Sequence, residues 1–481
     1  MSTPAGSQQA GLAAARAGLR GARAWLVGGA VRDRMLGRAT CDLDVVVDGD
    51  PRRAARSIAA AAASAASFPL SEEFGSWRVV ARDGTWQVDV EPLRGGSIDT
   101  DLRLRDLTVN AIAEPLQGGE PIDPLGGAAD IAAGILRAAG EGAFGADPLR
   151  VLRLVRAAVE LGMEPEAQTL AAARAQAAAL ETVSPERIFA ELRRIVACPR
   201  AVDGLEMVSS VGAGRVVLPE LELMRGVEQN RFHHLDVHGH TMEVLQRTID
   251  LQGPSGPFAD VISGCLRASA DGVRELLAEP LADEMSRGEA LRWGALLHDA
   301  AKPLTLARSP ADGRVTFIGH DELGAQLARE VLGRLRASER LRAHVAGLVR
   351  SHLRLGFLVH QPQPLDRRIV YRYMTACEPV PADVTLLSIA DRLATRGDSA
   401  DRAIEAHLAL ASGVLADALA WRREGPPRPP IRGDELARAL GMEPGPELGR
   451  LLGALAEDSY AAGPHGREQA IARARELLEN I

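Results

Sequence analysis

The sequence predicts an α+β chain, a mixed α/β head at the N-terminal end followed by a long all-α body. Short strand-like runs at 25–27, 43–47, 77–80 and 86–90 are separated by Ala-rich helical stretches and glycine turns. From about residue 130 the apolar spacing changes to three and four, so nearly everything to the C-terminus is expected to be helix. At 481 residues there is room for several cores, divided here into a head at 1–135, a neck at 136–225, a body at 226–400 and a tail at 401–481. Gly-Pro-Pro-Arg-Pro-Pro at 425–430 cannot continue a helix and marks the boundary before the last segment.

Composition narrows the function classes. A formal net charge of −8 argues against a uniformly basic nucleic-acid binder, so any RNA contact must come from a local surface. The first 25 residues mix Ala, Gly and Arg without an apolar core, and the alanine run at 59–66, broken by Ser64, is too short to span a bilayer. A cytoplasmic protein with no membrane attachment is expected. Cys41, Cys198, Cys265 and Cys377 stand apart without a CxxC pair and are read as free or buried thiols. Lys302 is the only lysine in the chain, although arginine is abundant.

In the head, Gly28-Gly29-Ala-Val-Arg32-Asp33 follows an apolar strand and opens a helix, which offers free N–H groups and close backbone approach to a triphosphate. Two glycines after a strand are also an ordinary turn. Asp42-Leu-Asp44 leads into three valines, and side chains two apart on a strand face the same side, so both carboxylates can share Mg²⁺. A turn-capping Asp42 does not explain paired acids entering an apolar strand. Asp89 is the favoured third carboxylate, with Glu91 as the fallback. Leu104-Arg105-Asp106-Leu-Thr-Val-Asn110-Ala is expected to be a helix that presents Asp106 and Asn110, four apart, on one face, whether solvated or in contact with ribose and phosphates.

Taken in order, Gly28-Gly29-Ala-Val-Arg32-Asp33, Asp42-Leu-Asp44 and Arg105-Asp106-Leu-Thr-Val-Asn110-Ala resemble the class II tRNA nucleotidyltransferases, the bacterial CCA-adding enzymes and their poly(A) polymerase relatives. The resemblance covers nearly the whole chain. It implies a polymerase-β-like palm whose catalytic acids Asp42, Asp44 and Asp89 bind Mg²⁺, followed by helical neck, body and tail. It also implies CTP and ATP as substrates, tRNA as partner, and nucleotide contacts from Gly28, Gly29, Arg32, Arg105, Asp106 and Asn110. One departure is Leu104, where the family commonly has an arginine.

Asp147-Pro-Leu-Arg150 opens a helix that continues through Arg153 and Arg156, and Asp before Pro is a helix cap. The sharper reading is that Asp147 accepts from an exocyclic amino group while Arg150 donates to ring acceptors, imitating a Watson–Crick edge. Only C and A offer that amino group. The segment resembles the family's Glu-Asp-x-x-Arg motif, with Ala146 in place of Glu. Arg153, Arg156 and Arg187 join the nucleotide-binding set, Arg187 as a brace for the base-reading pair.

Nine of the eleven histidines fall between Gln229 and Asp398, including His233, His234, His238 and His240. His298-Asp299 ends an apolar helix, and with His240 upstream and Asp391 downstream it forms a donor set suited to Mn²⁺, Ni²⁺, Fe²⁺ or Mg²⁺. This order resembles an HD-domain phosphohydrolase. His320 and His352 are expected either to complete a second metal position or to be structural, and Lys302 to meet a phosphate. Residues 431–450 suggest two helices around a Pro-Gly-Pro turn and resemble the family's tRNA-gripping tail. The leading expectation is addition of C, C and A to tRNA. Poly(A) synthesis, CC-only or A-only addition, and a standalone phosphohydrolase with a nucleotide-sensing head remain as alternatives.

Overall fold

The computed structural model describes residues 4–40, 42–62, 64–71, 75–230, 233–253, 256–396, 400–463 and 466–479. Cys41 lies outside them. Contacts divide the chain into two compact units, 1–217 and 218–481.

In the first unit the head runs α1 Pro4–Gly18, β1 Ala24–Val27, α2 Gly29–Met35, β2 Asp42–Val47, α3 Pro51–Ala61, β3 Ala65–Ser71, β4 Ser76–Ala81, β5 Gln87–Pro92, α4 Ile98–Arg103 and β6 Ala113–Pro115. The six strands form one sheet in the order β3-β4-β5-β2-β1-β6. Only β2 and β5 pair in parallel. One face of this central pair is Leu43, Val45, Val88 and Val90, all buried, so the alternating acids are forced to the other face.

Helix α1 closes the buried face. A Cβ on Gly11 would stand 3.0 Å from Leu43, and one on Gly18 would stand 2.6 Å from the Ile58 backbone, so both glycines permit close helix contact. Helix α3 starts at Asp50, whose carboxylate accepts from Arg52 N, with Pro51 in the first turn. Strand β3 had no expectation. Its alanines continue the run that ends α3, and as an edge strand it carries Pro69 and exposed Phe68 and Leu70.

The expected helix through 104–113 does not form. Helix α4 stops at Arg103, Leu107 bridges to Ala138, and only a 3₁₀ turn, Thr108–Asn110, follows. Side chains here outcompete the helical ladder. Asp106 accepts from Leu107 N at 2.9 Å and Asn110 Nδ2 at 3.0 Å, and Thr108 donates to Asp130 at 2.6 Å. The rest of the unit is mostly helical, its longer helices Arg150–Leu161, Ala167–Gln176, Pro185–Ala197 and Ala201–Ser210, with a two-residue parallel pair, Ile135–Leu136 and Glu164–Pro165.

The second unit is helical around Arg287–Leu297, a helix buried on nearly every side, with Val237–Gln252, Glu339–Ser351 and Pro381–Ala394 packed on it. Two small hairpins depart from the all-helix expectation, Pro280–Ala282 with Met285–Ser286 and Ala307–Arg308 with Val315–Thr316. Asp283 and Glu284 take φ of 53° and 56° to turn the first, which an apolar-periodicity reading cannot register. Among the described residues Ala400–Glu424 is the one helix long and apolar enough to cross a membrane. Leu408, Ala411, Val414, Leu415 and Ala418 from it enter the core beside Ala390 and Leu393. The two helices expected around the Pro-Gly-Pro turn form, Gly433–Leu440 and Pro446–Ala462, and a third, Arg467–Glu479, follows them. The third buries only Ala470 and Ala474, too small to read as an apolar stripe.

Candidate functional site

Two separate sites emerge, one in each unit. In the head, β1 delivers the chain to Gly28 at φ 68° and ψ −138°, a conformation open to glycine alone, and α2 starts at the next residue. A Cβ on Gly28 would lie 3.1 Å from Asp44 Oδ2 and 3.2 Å from Arg105 Nη1. The missing side chain leaves a cradle between a carboxylate and a guanidinium.

Asp42 and Asp44 share one face of β2, as read from the sequence. Asp44 stands in direct parallel register with Asp89 on β5, and Glu91 lies one alternation further along. Burial, with Glu91 and Asp89 nearby, lifts the Asp44 carboxyl up to about 7, even though Arg105 opposes this. A carboxylate under that strain among other acids fits a site completed by a divalent cation. Sequence reasoning missed Arg78, which grips Asp89 with two bonds of 2.7 Å from the neighbouring strand. The Arg78–Asp89 cross-strand pair was the available signal, hidden because β4 read only as an apolar run.

Around the cradle, Arg32 donates to Asp33 and, at 2.6 Å, to Asn110 Oδ1. Arg105 is held by Asp101, a fully buried carboxylate that also binds Arg94 and that the sequence reading did not single out. Burial works against a charge on Asp106, yet Arg153 and Asn110 hold its carboxyl below the usual range. Arg153 is raised in turn by Asp106. A continuous path therefore runs Arg153–Asp106–Asn110–Arg32–Asp33. Asp106 and Asn110 meet as expected, but through a turn rather than along a helix.

Asp147 accepts from Leu149 N at 3.2 Å and from Arg187 at 2.7 Å, so it both caps and is braced. Arg150 donates to the carbonyls of Leu104, Arg105 and Ala143. Those bonds fix its plane beside Asp147. Arg156 turns the other way, to Glu191 and Glu160, and is engaged in an ion-pair cluster.

The second site brings together every histidine and acid predicted for it. His298 and Asp299 follow the buried Arg287–Leu297 helix, His240 comes from Val237–Gln252, Asp391 from Pro381–Ala394, and His320 and His352 from a helix start and a helix end. Two groups can each hold a metal ion, His240, His298 and Asp299 in one, Asp299, His320 and His352 in the other. Asp299 belongs to both. His240 Nε2 lies 3.1 Å from Asp391 and His298 Nε2 lies 3.1 Å from Asp299, yet neither nitrogen makes an aligned hydrogen bond. Buried nitrogens aimed at a common point without partners fit divalent cations. The other ring nitrogen of His298, His320 and His352 contacts a carbonyl at 2.8, 2.6 and 2.6 Å, which sets the orientation of each ring. Burial opposes charge on Asp299, but His298 and Lys302 hold its carboxyl well below the usual range. Lys302 bonds Asp299 at 2.7 Å and Gln229 at 2.7 Å. Its ammonium also faces the Phe317 ring, 5.3 Å from the centroid.

Three families match separate stretches: the poly A polymerase head domain at 24–137, the probable RNA- and SrmB-binding site of polymerase A at 162–224, and the HD domain at 275–396. An A-adding tRNA nucleotidyltransferase of Deinococcus radiodurans is 36% identical, covering 92% of this chain and 93% of its own. A CC-adding tRNA nucleotidyltransferase of Thermus thermophilus is 34% identical, covering 93% and 91%. Among solved structures, a Thermotoga maritima CCA-adding enzyme complexed with tRNA is similar in fold, with TM-score 0.58 at 18% identity over 97% of this chain and 94% of that one.

Proposed function

The chain belongs to the tRNA nucleotidyltransferase family, and on that premise we propose that it extends the 3′ end of tRNA with C, C and A drawn from CTP and ATP. The observation that carries this reading is the register of Asp44 with Asp89, with Asp42 on the same face, beside the Gly28 cradle. The 3′-terminal hydroxyl oxygen bonds to the α-phosphorus of the nucleotide, and the bond to the β-phosphate bridge breaks to release pyrophosphate. Mg²⁺ held by Asp42, Asp44 and Asp89 would supply the charge that lowers the barrier to this displacement. Gly28 and Gly29 admit the triphosphate. Arg32 and Arg105 face it, positioned by Asn110 and Asp101. Asp147, held by Arg187, and Arg150, held by three carbonyls, select C or A by their amino edges, and U or G leaves the acid unpaired. Residues 136–225 and, beyond the 425–430 boundary, the rest of the 401–481 segment serve as the tRNA-binding neck and tail, and the enzyme works in the cytoplasm, where its substrates are.

A narrower reading has one observation in its favour: two relatives that span nearly the whole chain are an A-adding and a CC-adding enzyme. Purified protein is incubated with tRNA ending before CCA, or after CC, and with labelled CTP and ATP, singly and together. Growth by three residues supports full addition, growth on only one of the two tRNAs supports the partial adder, and no growth on either overturns both.

The HD site is proposed as a second, independent active site that hydrolyses small phosphates or cyclic phosphodiesters such as 2′,3′-cyclic RNA ends. Its support is the pair of ligand triads that share Asp299. Mn²⁺, Ni²⁺, Fe²⁺ or Mg²⁺ would supply the charge that activates water there; the water oxygen bonds to phosphorus, one P–O ester bond breaks, and the proton the water gives up goes to the departing oxygen. His298→Ala is expected to remove hydrolysis and spare nucleotide addition, and Asp44→Ala to do the reverse.

A further inference from the structure

The HD site sits in a cleft of about 1420 Å³, far more room than a phosphate group needs. Charged, polar and apolar side chains all line it. Phe317, Ile318 and Phe357 line the same cleft as Asp299, His320 and His352. Ile318 is 87% exposed and Phe357 66% exposed, which leaves large apolar surface in water beside a charged centre. Aromatic residues are scarce in this chain, so two of its eight phenylalanines on one rim is a concentration that core packing does not explain.

The rim is also tied to the ligands. The carbonyl of Phe317 contacts His320 Nδ1 at 2.6 Å and its ring covers the Lys302 ammonium, while Phe357 follows His352 by five residues on Arg354–Leu358. Among the described residues three cations line the cleft, Lys302, Arg314 and Arg392, and Arg392 buries an Nε without a hydrogen-bond partner. A flat apolar ring attached to an anion is the ligand that such a rim, floor and charge set fit together.

We propose that Phe357, with Ile318 and Phe317, forms a nucleobase platform that makes the HD site specific for nucleoside phosphates, free or at an RNA 3′ end, over phosphoesters without a base. This rests on the hydrolase reading of the site. The base lies on the exposed phenyl face while Lys302 and Arg392 meet the phosphate.

The full chain in Mn²⁺ is assayed on adenosine 2′,3′-cyclic phosphate, on an RNA ending in the same group, and on glycerol 1,2-cyclic phosphate, which lacks a base. Phe357→Ala is expected to lower the nucleoside-to-glycerol ratio of kcat/KM by about tenfold, mainly through KM, and Phe357→Trp to restore it. An unchanged ratio overturns the platform. Dependence on Phe357 with the RNA alone identifies the strand end as the ligand, and dependence with both identifies the nucleotide itself. Calorimetric titration of adenosine 2′-monophosphate into chelator-treated parent and Phe357→Ala protein gives a readout free of turnover, and binding elsewhere contributes equally to both. If no ester is hydrolysed in any metal yet the titration weakens about tenfold, the hydrolase reading falls and the platform stands. Equal affinities refute the platform whatever the turnover.

Discussion

Replacing Gly28 by alanine tests the head site at its narrowest point. The residue occupies φ 68° and ψ −138°, and forcing an L-residue into that region costs about 1–3 kcal/mol. The added Cβ meets Asp44 Oδ2 at 3.1 Å and Arg105 Nη1 at 3.2 Å, tight contacts that push apart the two groups framing the phosphate cradle. The neighbouring position is the control. Gly29 lies in a helix, and its Cβ would meet only the far end of Arg32, at 3.4 Å, an ordinary contact. Gly28→Ala should therefore shift urea denaturation to lower concentration by an amount worth about 1–3 kcal/mol and raise KM for CTP and ATP by on the order of tenfold or more. Gly29→Ala should stay within about 1 kcal/mol of the parent. Denaturation curves and single-nucleotide incorporation rates measure both. Equal stability of the two variants, or a Gly28→Ala protein as stable and active as the parent, refutes the cradle.

Four further outcomes are expected. Asp44→Asn keeps the shape of the side chain but lowers nucleotide addition by on the order of 10²–10³-fold, read by gel extension of tRNA, and leaves phosphoester hydrolysis intact. Gly18→Ala drives a Cβ to 2.6 Å from the Ile58 backbone and should destabilise the head by about 1–3 kcal/mol in thermal unfolding. Burial pushes His344 down to about 4, so between the unfolded value near 6.5 and that value the unfolded chain takes up a proton that the folded chain refuses; stability falls as pH drops through this window, and His344→Gln flattens the loss. Chelation should silence both activities, with Mg²⁺ restoring nucleotide addition and Mn²⁺ or Ni²⁺ restoring hydrolysis more fully, measured on one preparation.

The most legible parts of the sequence were those in which chemistry and periodicity coincide. Asp42 and Asp44 alternate with buried Leu43 and Val45, so period two alone placed both acids on one face. The candidate HD ligands were legible as residue types, and their convergence follows from the packing of the five helices that carry them. The 104–113 segment was misread because its spacing fits a helix, whereas the deciding bonds run through side chains, Asp106 to Leu107 N and Asn110 and, from 22 residues away, Asp130 to Thr108. Arg78 and Asp101 escaped for a related reason. Each acts through a partner, Asp89 or Arg105, that only the folded sheet and its following turn bring within reach.

Lys302 has a use outside catalysis. As the chain's single lysine, only 6% exposed and clasped by Asp299 and Gln229, it gives amine-directed reagents one side-chain target besides the terminal amine. Its modification tracks how often the HD cleft loosens, and one covalent tag would poison that chamber while the polymerising end goes on working.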